Sequence, residues 1–200
     1  MRTFKAEPGL EAPISIPSAP AAVSAQTTDL GGSDSVTLVA TPTALPVNDP
    51  SLSYQPSTDL GTFTSTVTAT EEAATRFLAS AEASTLATCS GPSTPTTVGG
   101  FTARSCPTAR GEAITWSDGA WKVQVLAFGG SAAPTSQAAE VESWIGAHPL
   151  PAASAGLLSA VTPRASSLVW EQGSAVYQTR SAQSLTAAAS LAASMRPWSP

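Results

Sequence analysis

The sequence predicts an α+β protein in which an antiparallel sheet, built from two β-hairpins, carries about three packed helices. A disordered or extended N-terminal arm is expected to precede this domain. Three observations support the prediction. Two segments combine apolar alternation with a central glycine turn, as hairpins do. Three further segments repeat apolar residues at helical spacing, and the first 66 residues are rich in proline and small polar side chains.

Residues 1–66 are interpreted as a Pro/Ala/Ser/Thr-rich arm or linker, and residues 67–200 as a single α+β domain. Prolines recur throughout the arm and remove backbone donors, and the small side chains around them bury little apolar surface. Short strands are expected at residues 36–40 and 63–67, where apolar residues alternate loosely. The arm suits a cell-wall spacer or a plain disordered tail equally well.

The first helix is expected to follow Thr68. Thr68 and Glu71 have the spacing of a capping box, which satisfies backbone N–H groups at a helix start. The helix must end before the turn residues that begin at Cys89, and a strand is expected beyond them at residues 98–106. The apolar residues at helical spacing are Ala74, Phe77, Leu78 and Ala81.

Residues 114–128 give the clearest hairpin pattern in the chain. Asp118 and Gly119 suit a two-residue type I′ turn, in which both central residues need positive φ. That register pairs Trp116 with Trp121 and places the flanking aliphatic residues on the same face as the tryptophans. The opposite face then carries polar residues, so turn chemistry and face pattern agree.

A second hairpin is expected at residues 167–179, preceded by a strand at residues 156–161. Its turn is centred either on the pair Gln172-Gly173 or one residue later. The two registers differ by two residues, so both leave Trp170 and Tyr177 on one face.

Two further helices are expected. One has Ser136 as its N-cap and stops before Pro149, and the other is capped by Ser181 and ends at Pro197. Their apolar residues at helical spacing are Ala138, Val141, Ile145 and His148, beside Trp144, in the first, and Leu185, Ala188, Ala192 and Met195 in the second.

Both hairpins contain the pattern Trp-x-x-Gly, and each is followed by a helix that opens with serine. This favours either an internal α-β-β duplication or a chance match of two short motifs. These hairpins, the helix stop His148-Pro149-Leu150-Pro151 and the closing segment Ala192-Ala193-Ser194-Met195 resemble uncharacterised exported proteins of the bacterial cell envelope. The resemblance covers residues 70–197, indicates no named family and assigns no functional residues.

Cys89 and Cys106 are the two cysteines of the chain, and we predict a disulfide between them across a loop. The alternative is a pair of reduced, partly buried thiols. A disulfide would place the protein in an oxidising compartment. No segment has the ~20 apolar residues of a membrane span, so either the chain is cytosolic or its signal or anchor is absent from it. Cysteine usage and composition favour the second alternative, and we expect a secreted or cell-surface protein.

The charge pattern and the motifs exclude several classes of function. A net charge of −5 with singly scattered basic residues leaves no footprint for nucleic acid. Nucleotide loops, calcium loops and zinc-ligand spacings do not occur in the sequence, so no cofactor or metal is expected. His148 is the single histidine, and no Gly-x-Ser-x-Gly motif accompanies it. We therefore expect no enzymatic activity and interpret His148 as a helix C-terminal residue.

The aromatic residues are the remaining candidates for function. Trp116, Trp121 and Trp170 are expected to form core, and the alternative is a ligand-facing surface that also includes Tyr177 and Trp144. The leading hypothesis is a non-catalytic extracytoplasmic interaction or structural domain of the bacterial envelope, with a protein or cell-wall partner. The alternatives are a carbohydrate- or peptide-binding module with an aromatic sheet face, and a hydrolase that combines the histidine with a serine.

Overall fold

The structure is a computed structural model, and it describes residues 11–13, 22–29, 31–54, 56–128, 134–162, 165–181, 188, 190, 192 and 195–197. The helices with defined bounds are α1 (Glu71–Thr85), α2 (Pro134–Ala147) and a short 3-10 helix (Pro50–Ser53). The strands are β1 (Glu11–Pro13), β2 (Val23–Asp29), β3 (Ser33–Ala40), β4 (Thr58–Val67), β5 (Thr94–Val98), β6 (Phe101–Thr108), β7 (Gly111–Asp118), β8 (Trp121–Phe128), β9 (Ala155–Thr162), β10 (Ala165–Gln172), β11 (Ala175–Ser181) and β12 (Met195–Pro197).

Ten strands form one mixed sheet in the order β2-β3-β4-β11-β10-β9-β8-β7-β6-β5. Neighbouring strands in it run antiparallel, apart from β8 and β9, which run parallel. A parallel pair needs a long crossover connection, and α2 supplies it. β1 and β12 pair separately as a two-stranded antiparallel sheet.

The expected fold class, a sheet of two hairpins with about three helices, is wrong. Both hairpins exist, as β7–β8 and β10–β11, but they are part of a ten-stranded sheet and β9 lies between them. The predicted strand at residues 156–161 is confirmed as part of β9. Turn glycines mark a local hairpin in the sequence, whereas the pairing of distant strands leaves no local pattern.

The N-terminal segment belongs to this sheet and is not a disordered or extended arm from β2 onward. β2, β3 and β4 pair in succession, and β4 pairs with β11, which places Phe63 opposite Thr179. Leu38 and Leu60 are buried on these strands. Alternating apolar and hydroxyl side chains suit a half-buried strand, and the short strands expected at residues 36–40 and 63–67 are confirmed within β3 and β4.

The two helices pack on opposite faces of the sheet. α1 buries Leu78 in one cluster with Val169 of β10, whereas α2 buries Val141 in the cluster that contains Leu168. Leu168 and Val169 are consecutive strand residues and therefore point to opposite faces. The centre of the sheet is consequently covered from both sides.

α1 begins two residues later than its capping-box pattern predicts. Thr70, instead of Thr68, is the N-cap, and its hydroxyl accepts the Ala73 N–H at 3.2 Å. The Thr68 hydroxyl donates to the Ser174 carbonyl at 2.8 Å, which ties the start of α1 to the second hairpin turn. A hydrogen bond from the Thr70 side chain holds the pKa of Glu72 below its ordinary value.

α2 begins at Pro134, so Ser136 lies inside the first turn and is not the N-cap. Proline suits the first helical position because its missing N–H would have no partner there. The helix ends at Ala147, before Pro149 as expected.

The final helix falls largely outside the described residues, as does Leu185. Ala188 and Ala192 are helical and buried against the core. Met195 is not the last inward residue of this helix, because it lies in β12 and pairs with Pro13. The pattern of small residues indicated the helix but not the change to extended backbone that follows it.

Both hairpin turns place glycine at the first central position. Gly119 and Gly173 have φ values of 56° and 60°, and the residues that follow them have negative φ, as in a type II′ turn. The expected type I′ register is therefore wrong by two residues, and Trp116 faces Val123 instead of Trp121. A shift of two preserves the faces, so the predicted inward side is unchanged. The second hairpin uses the later of its two expected turns.

Asn48 caps the outer edge of β2. Its backbone N–H donates to the Ala25 carbonyl at 3.0 Å, and its Oδ1 accepts the Thr27 N–H at 2.6 Å. Its Nδ2 also donates to the Thr27 hydroxyl at 2.7 Å. The residue has a φ of 60°, a left-handed conformation that asparagine tolerates better than most side chains. Asn48 thus occupies the hydrogen-bonding positions that an added strand would use.

Candidate functional site

The tryptophans selected from the sequence form the core. Trp116, Trp121 and Trp170 are 6%, 5% and 0% exposed, and Tyr177 is 4% exposed. The Trp170 ring lies 6.1 Å from the Trp121 ring and 5.5 Å from the Tyr177 ring, between centroids. Because these side chains are buried, they provide no aromatic surface for a ligand to contact.

Gly156 makes the contact between two of these rings possible. It lies on β9 between Trp121 of β8 and Trp170 of β10. A Cβ atom at this position would lie 2.7 to 2.9 Å from three atoms of the Trp121 ring. The Trp121 indole N–H donates to the Pro151 carbonyl at 3.3 Å, which fixes the ring in place.

Trp144 and His148 lie together at the end of α2. Trp144 is half-buried, and the exposed His148 ring stacks on it with centroids 4.7 Å apart. His148 Nδ1 lies 3.1 Å from the Trp144 carbonyl oxygen. The histidine contacts its own helix turn and does not line the cleft described below. This position gives no support to a hydrolytic role.

The predicted disulfide between Cys89 and Cys106 is present, with the two Cα atoms 5.7 Å apart. It joins the loop after α1 to β6. The Ser90 N–H donates to the Pro107 carbonyl at 2.8 Å, so backbone pairing continues the same connection. The bond closes a loop that contains β5 and its turn, and it is compatible with an oxidising compartment.

A row of polar side chains crosses the sheet on the face that carries α1, beyond the end of that helix. Each member is paired in register with the next, so the row runs continuously over six neighbouring strands from β3 to β8. We call this set the polar row; its members are Thr37, Thr62, Arg180, Ser167, Ser159 and Gln124.

Hydroxyl groups on β3 and β4 bond to one another across the strands. Ser and Thr occupy every second position over residues 33–37 of β3 and 62–66 of β4, which directs their side chains to the same face as the polar row. Three cross-strand pairs are hydrogen bonded: Ser33–Thr66 at 2.7 Å, Ser35–Thr64 at 3.2 Å and Thr37–Thr62 at 3.2 Å.

Four members of the polar row, Thr62, Arg180, Ser167 and Ser159, lie in the floor of a cleft of about 840 Å³. Ser84 and Thr85 at the end of α1 line one side. Arg110, from the turn between β6 and β7, lines the cleft together with Arg180 of the floor, and Asp59 is the one acidic residue among its lining side chains. The described lining is therefore mostly hydroxyl-bearing, with a net charge of +1.

Gln124 of β8 holds the floor residue Ser159 in place. Its side chain is 1% exposed, its Oε1 accepts the Ala87 N–H at 2.7 Å, and its Nε2 donates to the Ser159 hydroxyl at 3.2 Å. Buried polar groups that are fully bonded hold a single arrangement. The loop after α1 is thereby attached to the floor of the cleft.

The remaining features bear on the class of site. Within the described ranges, no three His, Cys, Asp or Glu side chains lie close enough to hold a metal ion. The helices of that part of the chain include none that is long and apolar enough to cross a membrane. The chain matches no family model, no curated protein and no solved structure. The cleft is therefore the feature from which we infer a function.

No cleft residue is among the candidates predicted from the sequence. The pattern that could have indicated the site is the alternation of Ser and Thr, at positions 33, 35 and 37 and again at positions 62, 64 and 66. Such alternation predicts a strand with one hydroxyl face. The alternation does not show which strands lie side by side. The hydroxyl face of β4 becomes part of the cleft only because β4 also pairs with the distant strand β11.

Proposed function

We propose that this chain is a non-catalytic interaction domain of the bacterial envelope that binds a carbohydrate in the cleft above the polar row. The observation that carries the proposal is the hydroxyl lining of a cleft of about 840 Å³. Binding sites for small ligands usually have volumes of about 300–1,000 Å³. The cleft therefore has the size for a short segment of a saccharide chain.

Carbohydrate fits this lining better than peptide does. A serine or threonine hydroxyl can both donate and accept, and sugar hydroxyls have the same two capacities. Peptides are usually bound by an open strand edge or by pockets for apolar side chains. The cleft lies on the face of the sheet, and Val161 and Ala165 are the apolar members of its described lining.

The proposed location outside the cytoplasm rests on the disulfide. Structural disulfides persist in oxidising compartments and are rare in the reducing cytosol. The test is a thiol count on protein isolated from its native compartment and unfolded in the presence of an alkylating reagent. Absence of alkylation at Cys89 and Cys106 would support the location. Two alkylated cysteines would contradict it.

The binding proposal is tested by titrating the isotope-labelled full chain with neutral and acidic oligosaccharides and following amide NMR shifts. We expect shifts at cleft residues and loss of binding in Ser167→Tyr, which places a ring on the floor. The matched control is Thr102→Tyr, an exposed position of β6 outside the cleft. Failure of every saccharide to bind would refute carbohydrate binding. Binding that Ser167→Tyr leaves intact would refute the cleft as its site.

A further inference from the structure

We infer that the ligand of the cleft is an acidic oligosaccharide whose carboxylates pair with Arg110 and Arg180. This inference rests on the proposed carbohydrate binding and adds the class of sugar. Both guanidinium groups line the cleft, and neither takes part in the ion pairs found among the described residues. Guanidinium groups match carboxylates with two parallel hydrogen bonds.

A third arginine, Arg104, differs from these two because its side chain is hydrogen bonded within the protein. Arg104 on β6 donates from Nε to the Ser93 hydroxyl at 2.9 Å and from Nη2 to the Ser93 carbonyl at 3.1 Å. The side-chain donors of Arg110 and Arg180 have no such contacts in the described part of the chain, although hydroxyl-bearing residues line the same cleft. Their donors remain available to a ligand.

The separation of the two arginines favours a ligand with several negative charges over a ligand with one. Arg180 stands on β11 within the polar row, and Arg110 stands at the turn that leads into β7. Four strand spacings separate β11 from β7, which is roughly 19 Å across the sheet, and Arg110 is displaced further along the strand direction, because the polar row meets β7 at Thr115. Two acidic units of one extended chain suit this separation better than a single small anion does.

Hydroxyl groups between the two cations favour a sugar acid over nucleic acid. The floor beside Arg180 carries the half-buried Ser167, and Ser84 and Thr85 at the end of α1 line the same cleft. Single-stranded nucleic acid is usually bound with aromatic side chains that stack on its bases, and the described lining has none. The whole chain also has a net charge of −5, which opposes binding of a long polyanion away from the cleft.

The test compares hexagalacturonate with its methyl ester, which has the same sugar chain without charge, by NMR titration of the full-length protein in metal-free buffer. We expect the acid to bind more tightly and its affinity to fall as salt is raised. Arg110→Gln and Arg180→Gln should each weaken binding about fivefold, the upper range for a solvent-exposed ion pair. Arg76→Gln, an exposed arginine of α1 outside the cleft, should leave the affinity unchanged.

The outcomes separate this inference from the function on which it rests. Equal affinity for acid and ester in the wild-type chain would overturn acid recognition and leave carbohydrate binding intact. Unchanged affinity in both cleft variants would overturn the pairing of carboxylates with Arg110 and Arg180. Absence of binding by either sugar, with no other saccharide bound in the panel, would overturn both. Equal losses in Arg76→Gln and the cleft variants would show a non-local charge effect and also refute the arginine pairing.

Discussion

Replacing Gly156 with alanine should force the aromatic core apart. The new methyl carbon would lie 2.7, 2.8 and 2.9 Å from three atoms of the Trp121 ring, whereas carbon atoms in contact are about 3.5–4.0 Å apart. Trp121 cannot withdraw freely, because it is 5% exposed and hydrogen bonded to the Pro151 carbonyl. We expect a loss of about 2 kcal/mol in the free energy of unfolding, within the range for overpacked cores.

The assay is urea unfolding followed by tryptophan fluorescence, which reports on the same rings. Gly146→Ala is the matched control, because a Cβ there meets no atom within 4 Å and the residue lies in α2. Alanine in place of glycine within a helix should stabilise by about 0.5–1 kcal/mol. Glycine-to-alanine substitution should therefore lower the free energy of unfolding at position 156 and raise it at position 146.

A second substitution identifies the ring responsible. Trp121→Leu should destabilise the wild-type chain by leaving a cavity, but should cost less in the Gly156→Ala background, where the methyl group occupies part of the vacated space. Additive effects would mean that Trp121 does not lie against Gly156. An unfolding free energy of Gly156→Ala equal to or above that of the wild type would refute the packing argument.

Three further predictions concern other parts of the chain. Asn48→Gly removes the side-chain bonds to β2 and should cost about 1 kcal/mol, while Asn48→Ala adds left-handed strain of about 1–2 kcal/mol, both measured by urea unfolding; equal losses would contradict the assigned backbone conformation. Joint replacement of Cys89 and Cys106 by serine opens a loop with a sequence separation of 17, and the free energy of unfolding should fall by about 3 kcal/mol; a loss under about 1 kcal/mol would count against the loop-entropy account. The Thr70 hydrogen bond holds the pKa of Glu72 below its ordinary value, so the contribution of this carboxylate to stability is present above the ordinary pKa and is lost as pH falls through the lowered one. An NMR pH titration should find this pKa raised in Thr70→Ala, and an unchanged pKa would exclude the hydrogen bond as its cause.

Local sequence patterns predict the hairpins and the core, because their causes are local. Glycine can adopt positive φ at low cost, so Gly119 and Gly173 mark turns that the structure confirms. The buried side of the first hairpin follows from alternation alone, even though its register differs by two residues from the expected one. Burial of Trp116 and Trp170 agrees with their expected place in the core.

The strand order of the large sheet is harder to predict from the sequence, because it depends on contacts between segments that are distant along the chain. The alternation in β3 and β4 indicated short strands, but their proline-rich surroundings also fit an unstructured arm. The two faces of β10 are covered by different helices, which nothing in α1 or α2 alone specifies. A helix shows its apolar side in its sequence, but not the surface on which that side packs.

The candidate site could not be predicted from the sequence, because it also depends on contacts between distant segments. Its floor takes one residue of the polar row from each of four strands, and consecutive members such as Thr62 and Arg180 are far apart along the chain. Only the register of the completed sheet brings them into one row.

The pairing of β4 with β11 also sets the order in which the molecule can assemble. β11 is the last strand of the large sheet along the chain, and β4 needs it as a neighbour. While the polypeptide emerges from the ribosome, the strands β2 to β4 can form a meander, but one side of β4 stays open until β11 has been made. Long-range pairing of this kind slows folding and leaves a partly folded chain exposed to association. We therefore expect the native sheet to close only once β11 has been made, with the cleft as one of the last features to appear.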